Sequence, residues 1–354
     1  MQYKDIFIKN FRGILSLEMN GCKRVNLLAG RNNCGKTSIL EALFLLSGMS
    51  NPQLIMNIHI FRDMIFADDD DFSHSFYNLD IRNIPDISAN VQGAKDKKRA
   101  LKITPVYGDY ISSGEQTLKK VNSDPKKPTN LELSGSTATF QTIEGLKSDF
   151  SCDNSKTWHA EFRIKEHMIH LAKDYKEHLR CVFLNPKTIM QDLDVRLGHL
   201  LVNKNLKKLI SVLQEIAPDI SDIRMGANKM IYVDIGLSKL VPINIMGDGV
   251  RRILSILAAI SDTKNGVLLI DEIENGLHYT SLTTLWKAVF KAAQEFDTQI
   301  FATTHSYECI ESFAKTEFDD LCFYRINKKN GKHTALASDH EVLRTGIEKE
   351  FEVR

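Results

Sequence analysis

The chain has 354 residues, which at about 100 to 200 residues per domain means one large domain or two modest ones. Hydrophobic residues make up 43% and charged residues 26%, a globular composition that excludes a disordered or collagenous chain. Lys and Arg number 46 against 45 Asp and Glu, and the net charge of +1 excludes any global pull toward nucleic acid or membrane, leaving only local patches for such contacts.

No run approaches the roughly 18 consecutive apolar residues of a membrane span. The opening MQYKDIFIKN carries Lys and Asp where a signal peptide is apolar, so a cytoplasmic location without membrane contact is expected. Cys22, Cys34, Cys152, Cys181, Cys309 and Cys322 form no C-x-x-C pair and read as reduced thiols.

Residues 1–50 begin with the alternating strands IFIKNF and LSLEMN, then the apolar run Val25 to Ala29, a Gly-rich loop and the helical stretch TSILEALFLLSG. Residues 51–180 change character. Short alternating segments such as LKITPVY, LELSGSTATF and HAEFRI, separated by Gly, Ser, Pro and Lys, predict an antiparallel β-rich insertion. Within it, Lys95 to Lys127 carries nine cations against four acids, a solvated loop or a surface for DNA or a partner. Residues 181–242 predict a helical lobe, with Leu206, Leu209, Ile210 and Leu213 on one helix face and a hairpin around Gly226.

Residues 243–326 alternate helix and strand: VRRILSILAAI, GVLLIDE, SLTTLWKAVFKAAQEF, QIFATTH, YECIESFAK and LCFYRIN. Such alternation predicts a parallel sheet covered on both faces, hence an α/β fold. Residues 327–354 form a tail with a turn at Asn330–Gly331 and a charged last helix. No internal repeat or sustained heptad pattern is present.

Four motifs carry chemistry. Gly30-Arg31-Asn32-Asn33-Cys34-Gly35-Lys36-Thr37 fits G-x-x-x-x-G-K-[ST] between a strand and a helix, the context that motif requires of a P-loop NTPase. Its glycines let backbone N–H groups and the helix N-terminus, through Ser38, face phosphate oxygens. Lys36 reaches the β and γ phosphates and the Thr37 hydroxyl takes Mg²⁺, which makes ATP and Mg²⁺ the expected cofactors.

Asp271 and Glu272 end the apolar run VLLI at the strand edge where α/β sheets bind ligands; Asp271 suits the metal and Glu272 can polarise an attacking water. His305 ends the next apolar strand, 34 residues after Asp271 with one helix between, so those strands are expected to be neighbours. It is placed to sense the γ-phosphate. Gly247-Asp248-Gly249 opens another helix and is a second anion site, which a chain with one P-loop needs only if it serves a partner subunit.

With Ile8-Lys-Asn-Phe11-Arg12-Gly13, these motifs in this order resemble the ATP-binding-cassette (ABC)-type ATPases of the RecF, SMC and OLD (overcoming lysogenization defect) group. The resemblance covers residues 1–48 and 240–310. It implies an ABC-type ATPase head with a parallel central sheet, an antiparallel β-rich lobe and a helical lobe. It also implies an ATP sandwich, a homodimer or higher oligomer in which Lys36, Thr37, Asp271, Glu272 and His305 of one subunit meet Gly247 to Gly249 of the other. Gln191, after the strand CVFL, takes the place of the Q-loop glutamine and joins the metal ligands.

Where the group usually has Ser, this chain has Gly247, which predicts slow hydrolysis or a need for a partner. The 191 residues between Gly48 and Leu240 lack heptads, unlike the coiled-coil insertions of SMC proteins. Only 49 residues follow His305, too few for the TOPRIM nuclease that OLD proteins append, so the effector is expected to be encoded separately. The expectation is therefore an ATPase that controls a nuclease or toxin in bacterial anti-phage defence. A RecF-like DNA-repair ATPase and a slowly hydrolysing ATP-dependent scaffold are the alternatives.

Overall fold

The computed structural model describes residues 1–64, 69–93, 97–112, 117–120, 131–134, 138–153, 156–164, 168–215, 217–226, 229–329 and 332–349. Lys95, Lys126 and Lys127 of the basic stretch, and the turn expected at Asn330–Gly331, lie outside the described residues.

In chain order, β1 (Gln2–Phe11) and β2 (Ile14–Met19) form a hairpin, and β3 (Val25–Ala29) leads into α1 (Lys36–Ser47) and α2 (Leu54–Ile60). The β-rich stretch holds β4 (Asp86–Gln92), β5 (Lys98–Ser112), β6 (Thr117–Lys120), β7 (Leu131–Ser134), β8 (Ala138–Cys152), β9 (Lys156–Arg163) and β10 (Met168–His170). β11 (Cys181–Leu184) precedes α3 (Leu193–Val202), α4 (Leu206–Leu213), and the short β12 (Asp222–Met225), β13 (Ile231–Asp234) and β14 (Val241–Pro242). The remainder runs α5 (Asp248–Asp262), β15 (Val267–Ile270), α6 (Leu282–Glu295), β16 (Gln299–Thr303), α7 (Tyr307–Ala314), β17 (Leu321–Lys329), β18 (Lys332–Ser338) and α8 (His340–Glu348).

Two sheets organise these elements. The central sheet has the order β11-β15-β16-β3-β17-β18 and is parallel except for its last pair. β3, β15 and β16 are buried at every residue, which is why their sequences are nearly continuous apolar runs. Their side chains alternate between two cores. Val25, Leu27, Leu268, Ile270, Ile300 and Ala302 face the helices α3 to α7, whereas Leu28, Val267, Leu269 and Phe301 face α1 and the second sheet.

The second sheet, β10-β9-β8-β5-β4-β1-β2, is antiparallel throughout. Of the strands of residues 51–180, β4, β5, β8, β9 and β10 therefore continue a sheet begun by the N-terminal hairpin, while β6 and β7 pair with each other in a separate two-stranded sheet. The buried Gln299 joins the two sheets: its carboxamide accepts from Tyr3 N–H at 2.7 Å and donates to Tyr3 O at 2.8 Å and Lys23 O at 2.9 Å.

Arg99, counted above among the basic stretch, is 2% exposed and does not belong to a surface patch. Its guanidinium donates to Leu46 O and Ser47 O at the C-terminus of α1 and pairs with Glu177 at 2.6 Å. A cation suits those carbonyls, which lack intrahelical partners. All six cysteines are free thiols. No helix among the described residues is long and apolar enough to cross a membrane.

Candidate active site

The loop from Gly30 to Lys36 turns because of its glycines. Gly30 has φ 152° and packs so tightly that a Cβ there would stand 2.4 Å from Ile326 O and 2.9 Å from Cys34 Sγ. Gly35 has φ 91° and caps α1, freeing the first N–H groups of that helix to face outward. Lys36 Nζ lies over the loop, donating to Gly30 O at 2.7 Å and Arg31 O at 3.2 Å.

Parallel pairing sets Ile270 opposite Ala302, which puts Asp271 level with Thr303. Thr37 Oγ1 donates to Asp271 Oδ2 at 3.0 Å, and Thr303 Oγ1 donates to Asp271 Oδ1 at 2.6 Å. Burial pushes the Asp271 carboxyl above the usual carboxylate range, against the lowering effect of the two hydroxyls. An Asp carboxylate with the Thr37 hydroxyl within hydrogen-bond reach is an all-oxygen donor set that a hard divalent cation fits. Among the described residues no cluster of three or more His, Cys, Asp and Glu could hold a metal. Mg²⁺ takes one or two protein oxygens and completes its shell with water and phosphate.

Glu272 follows with φ 51°, a left-handed conformation that costs a non-glycine residue roughly 1–3 kcal/mol. Its backbone N–H is fixed by Thr303 Oγ1 at 2.9 Å, and its Oε1 lies 3.8 Å from His305 Nδ1. His305 also lies 3.3 Å from Glu274 Oε1 through the same ring nitrogen.

These groups face one cleft of about 590 Å³. Asn32, Asn33, Cys34, Gly35, Lys36, Thr37 and Ser38 line it from the loop and α1, and Asp271, Glu272 and His305 from the strand ends. Gly30 and Arg31 form the root of the loop without lining the cleft. Gly247, Asp248 and Gly249 stand apart from it: Gly247 caps α5 with nothing within 4 Å of a Cβ, and Asp248 is exposed. Gln191 is also outside the lining, exposed in a turn where its N–H donates to Thr188 O. Asn185 sits closer, lining an adjoining cavity of about 200 Å³ together with Thr37 and Asp271.

Sequence reasoning missed three lining side chains, Arg62, Lys328 and His333. Arg62, just beyond α2, lines both cavities. It pairs with Glu41 of α1 at 2.6 Å, and Arg12 pairs with the other oxygen of that carboxylate at 2.9 Å. Glu41 is 1% exposed, so two guanidinium groups share one buried carboxylate and leave an excess positive charge beside the phosphate loop. Burial works against the Arg62 charge, but the hydrogen bond and charge of Glu41 outweigh it and hold its pKa above the ordinary value. Lys328 and His333 line the cleft from the β17–β18 hairpin. No spacing marks any of the three. Thr303 was legible, two residues before His305 in the same motif.

Residues 1–218 match the family described as "AAA ATPase domain", and residues 156–311 match one described as "AAA domain, putative AbiEii toxin, Type IV TA system". An "ATP/GTP phosphatase" of Helicobacter pylori is 24% identical over 331 residues, 87% of this chain and 86% of that protein. A "DNA replication and repair protein RecF" of Nitrosococcus oceani is 46% identical over 46 residues, 13% of each chain. An Smc head bound to the C-winged helix domain of ScpA aligns with a TM-score of 0.50 at 11% identity, over 96% of this chain and 98% of that one. An Smc head with an extended coiled coil, bound to the C-terminal domain of ScpA derived from Pyrococcus furiosus, also gives 0.50, at 9% identity over 98% and 99%. At such identities the likeness establishes a shared fold.

Proposed function

This chain belongs to the AAA ATPase domain family with an SMC head-like, ABC-type fold, and on that premise we propose that it binds and hydrolyses Mg²⁺·ATP in the cleft and dimerises around it. One observation carries the reading: the P-loop and both strand-end motifs converge on a single cleft, while Gly247 to Gly249 stand at a helix N-terminus outside it, with Gly247 and Asp248 exposed. A partner's cleft is the natural place for that second anion site. Each dimer would be symmetric and hold two nucleotides.

In this reading Lys36 turns from the loop carbonyls to the β and γ phosphates, and Arg62 adds positive charge on the same side. Thr37 and Asp271 hold Mg²⁺, which when bound offsets phosphate charge. Glu272 accepts the proton of the attacking water, and His305 contacts the γ-phosphate. Asn185 takes the position beside the metal expected of Gln191. We read residues 1–50 and 243–326 as the two halves of the ATPase, with the β-rich and helical stretches and the tail as its attachments.

The biological role proposed is control of a nuclease or toxin in anti-phage defence, supported by the match of residues 156–311 to a family described by a toxin–antitoxin system. Binding of a protein partner is in keeping with the ScpA-bound Smc heads that share the fold. A RecF-like role in DNA repair is favoured by the short stretch of 46% identity to RecF.

Mixing two inactive variants tests the site. Lys36→Ala spoils a protomer's P-loop and Gly249→Arg spoils its contribution to the partner. A mixed dimer contains one composite site with neither change, so each mixed dimer is expected to have about half of the activity of a wild-type dimer, and a randomly paired equal mixture about a quarter. Two variants that stay inactive together would reject the shared site.

A further inference from the structure

Glu274 has no part in the reading above, yet its surroundings are built. It follows Asp271 by three residues, in the loop leaving β15, and is 9% exposed, whereas the Glu272 side chain is 41% exposed. Its Oε1 accepts the backbone N–H of His305 at 3.1 Å and lies 3.3 Å from His305 Nδ1. Glu272, the other carboxylate near that ring, is farther away at 3.8 Å and has Asn275 Nδ2 on its second oxygen at 3.3 Å. The same Glu274 oxygen thus accepts from the backbone of His305 and lies within ion-pair distance of its ring.

The charge of Glu274 also acts on Arg252 of α5. Glu274 Oε2 is buried without a hydrogen-bond partner, as are Nε and Nη2 of Arg252, one turn into the helix that Gly247 to Gly249 open. Arg252 is 8% exposed and lies against Gly276, where a Cβ would come 3.5 Å from its Nη1. Burial lowers the Arg252 pKa, and the charge of Glu274, ahead of that of Glu272, raises it again. A buried carboxylate and a buried guanidinium attract each other, and their unfilled hydrogen-bonding positions leave room for a closer pairing.

We propose that Glu274 is a positioning residue for His305, accepting its Nδ1–H so that Nε2 is presented to the cleft, and that Arg252 ties this carboxylate to α5. The proposal rests on the functional reading above for what Nε2 meets in the cleft. The ring orientation itself does not depend on it. A neutral imidazole that donates through Nδ1 has Nε2 as its acceptor, so one carboxylate determines which face of the ring the ligand encounters. Because Arg252 belongs to the helix whose N-terminus would meet a partner's nucleotide, His305 of one site would be mechanically joined to the state of the other.

The first test is free of turnover. In protein labelled with ¹⁵N at histidine, the His305 resonances, assigned by their loss in His305→Asn, should report the Nδ1–H tautomer in the wild type. Glu274→Ala should shift them to a mixture or to the Nε2–H form. The second test is kinetic: Glu274→Gln, which keeps the shape, should lower kcat about tenfold or more while KM and the affinity for Mg²⁺·ATP stay within about twofold.

Arg252→Met should act in the same direction, and the double variant should lose less than the product of the two single losses. An unchanged His305 tautomer in Glu274→Ala overturns the proposal whether or not the chain hydrolyses ATP. Equal kcat in wild type and Glu274→Gln, with Lys36→Ala inactive, overturns it and leaves the ATPase reading intact. A wild type that neither binds nor hydrolyses ATP rejects that reading, and the tautomer then decides the positioning role alone.

Discussion

Replacing Gly30 by Ala tests whether the phosphate loop depends on backbone geometry rather than on glycine flexibility in general. Two costs add at this position. The φ of 152° lies where side chains are disfavoured, which costs roughly 1–3 kcal/mol. The new methyl would stand 2.4 Å from a carbonyl oxygen of β17 and 2.9 Å from Cys34 Sγ, an overpacking worth roughly another 1–3 kcal/mol. The carbonyl belongs to a central strand and cannot swing away as a flexible side chain would. Gly30→Ala is therefore expected to lose about 2–6 kcal/mol, or to move the loop and weaken ATP binding by about tenfold per 1.4 kcal/mol absorbed there.

Urea unfolding gives the first quantity and calorimetry with Mg²⁺·ATP the second. Gly247→Ala is the control: its φ is −52°, nothing lies within 4 Å of the added Cβ, and its stability should stay within about 0.5 kcal/mol of wild type. A Gly30→Ala protein with unchanged midpoint and unchanged affinity would refute the geometric argument.

Glu272→Gln should keep nucleotide binding and slow turnover about 100-fold or more, because the amide cannot take the proton of water; an unchanged rate would remove Glu272 from that role. Glu41→Gln leaves Arg12 and Arg62 without their shared anion and should cost about 3 kcal/mol in urea unfolding, with no loss meaning the guanidinium groups find other partners. Burial raises the Asp271 pKa, so the native chain holds that proton more tightly than the unfolded one. The group therefore adds stability below the ordinary carboxylate pKa and loses it as pH rises through its raised value. Metal-free Asp271→Asn should consequently melt higher than wild type at neutral pH while binding Mg²⁺·ATP more weakly, and equal melting temperatures would contradict the burial cost.

The legible part of the site lies where function is contiguous in the chain. A P-loop needs its strand, glycines and helix in one segment, and Asp271 and His305 each end an apolar run, so three motifs pointed to one sheet edge. Arg62, Lys328 and His333 reach the same cleft by tertiary packing, from a segment after α2 and from a hairpin, and no local pattern records that. Asn185, rather than Gln191, lines the cavity beside Thr37 and Asp271 for the same reason. It follows β11 directly, and β11 pairs with β15, whereas Gln191 is six residues farther along a turn. β18 was missed because KHTALAS is an edge strand whose buried and exposed residues barely alternate. The alternation in β1 and β2 showed strands but not their partners, so their continuation into the β-rich sheet came only from the structure. Arg99 shows the converse error, a cation counted as surface that α1 draws inside.

The central claim is that Gly247 to Gly249 complete a partner's nucleotide site. Light scattering on Glu272→Gln with and without Mg²⁺·ATP tests it most directly, alone and combined with Gly249→Arg. At Gly249 an added Cβ meets only Leu277 Cδ2 at 3.7 Å, so the arginine is accommodated by the fold. The account predicts that ATP doubles the mass of Glu272→Gln and leaves the double variant monomeric, with ATP still bound. A double variant that dimerises on ATP as readily as Glu272→Gln would contradict it.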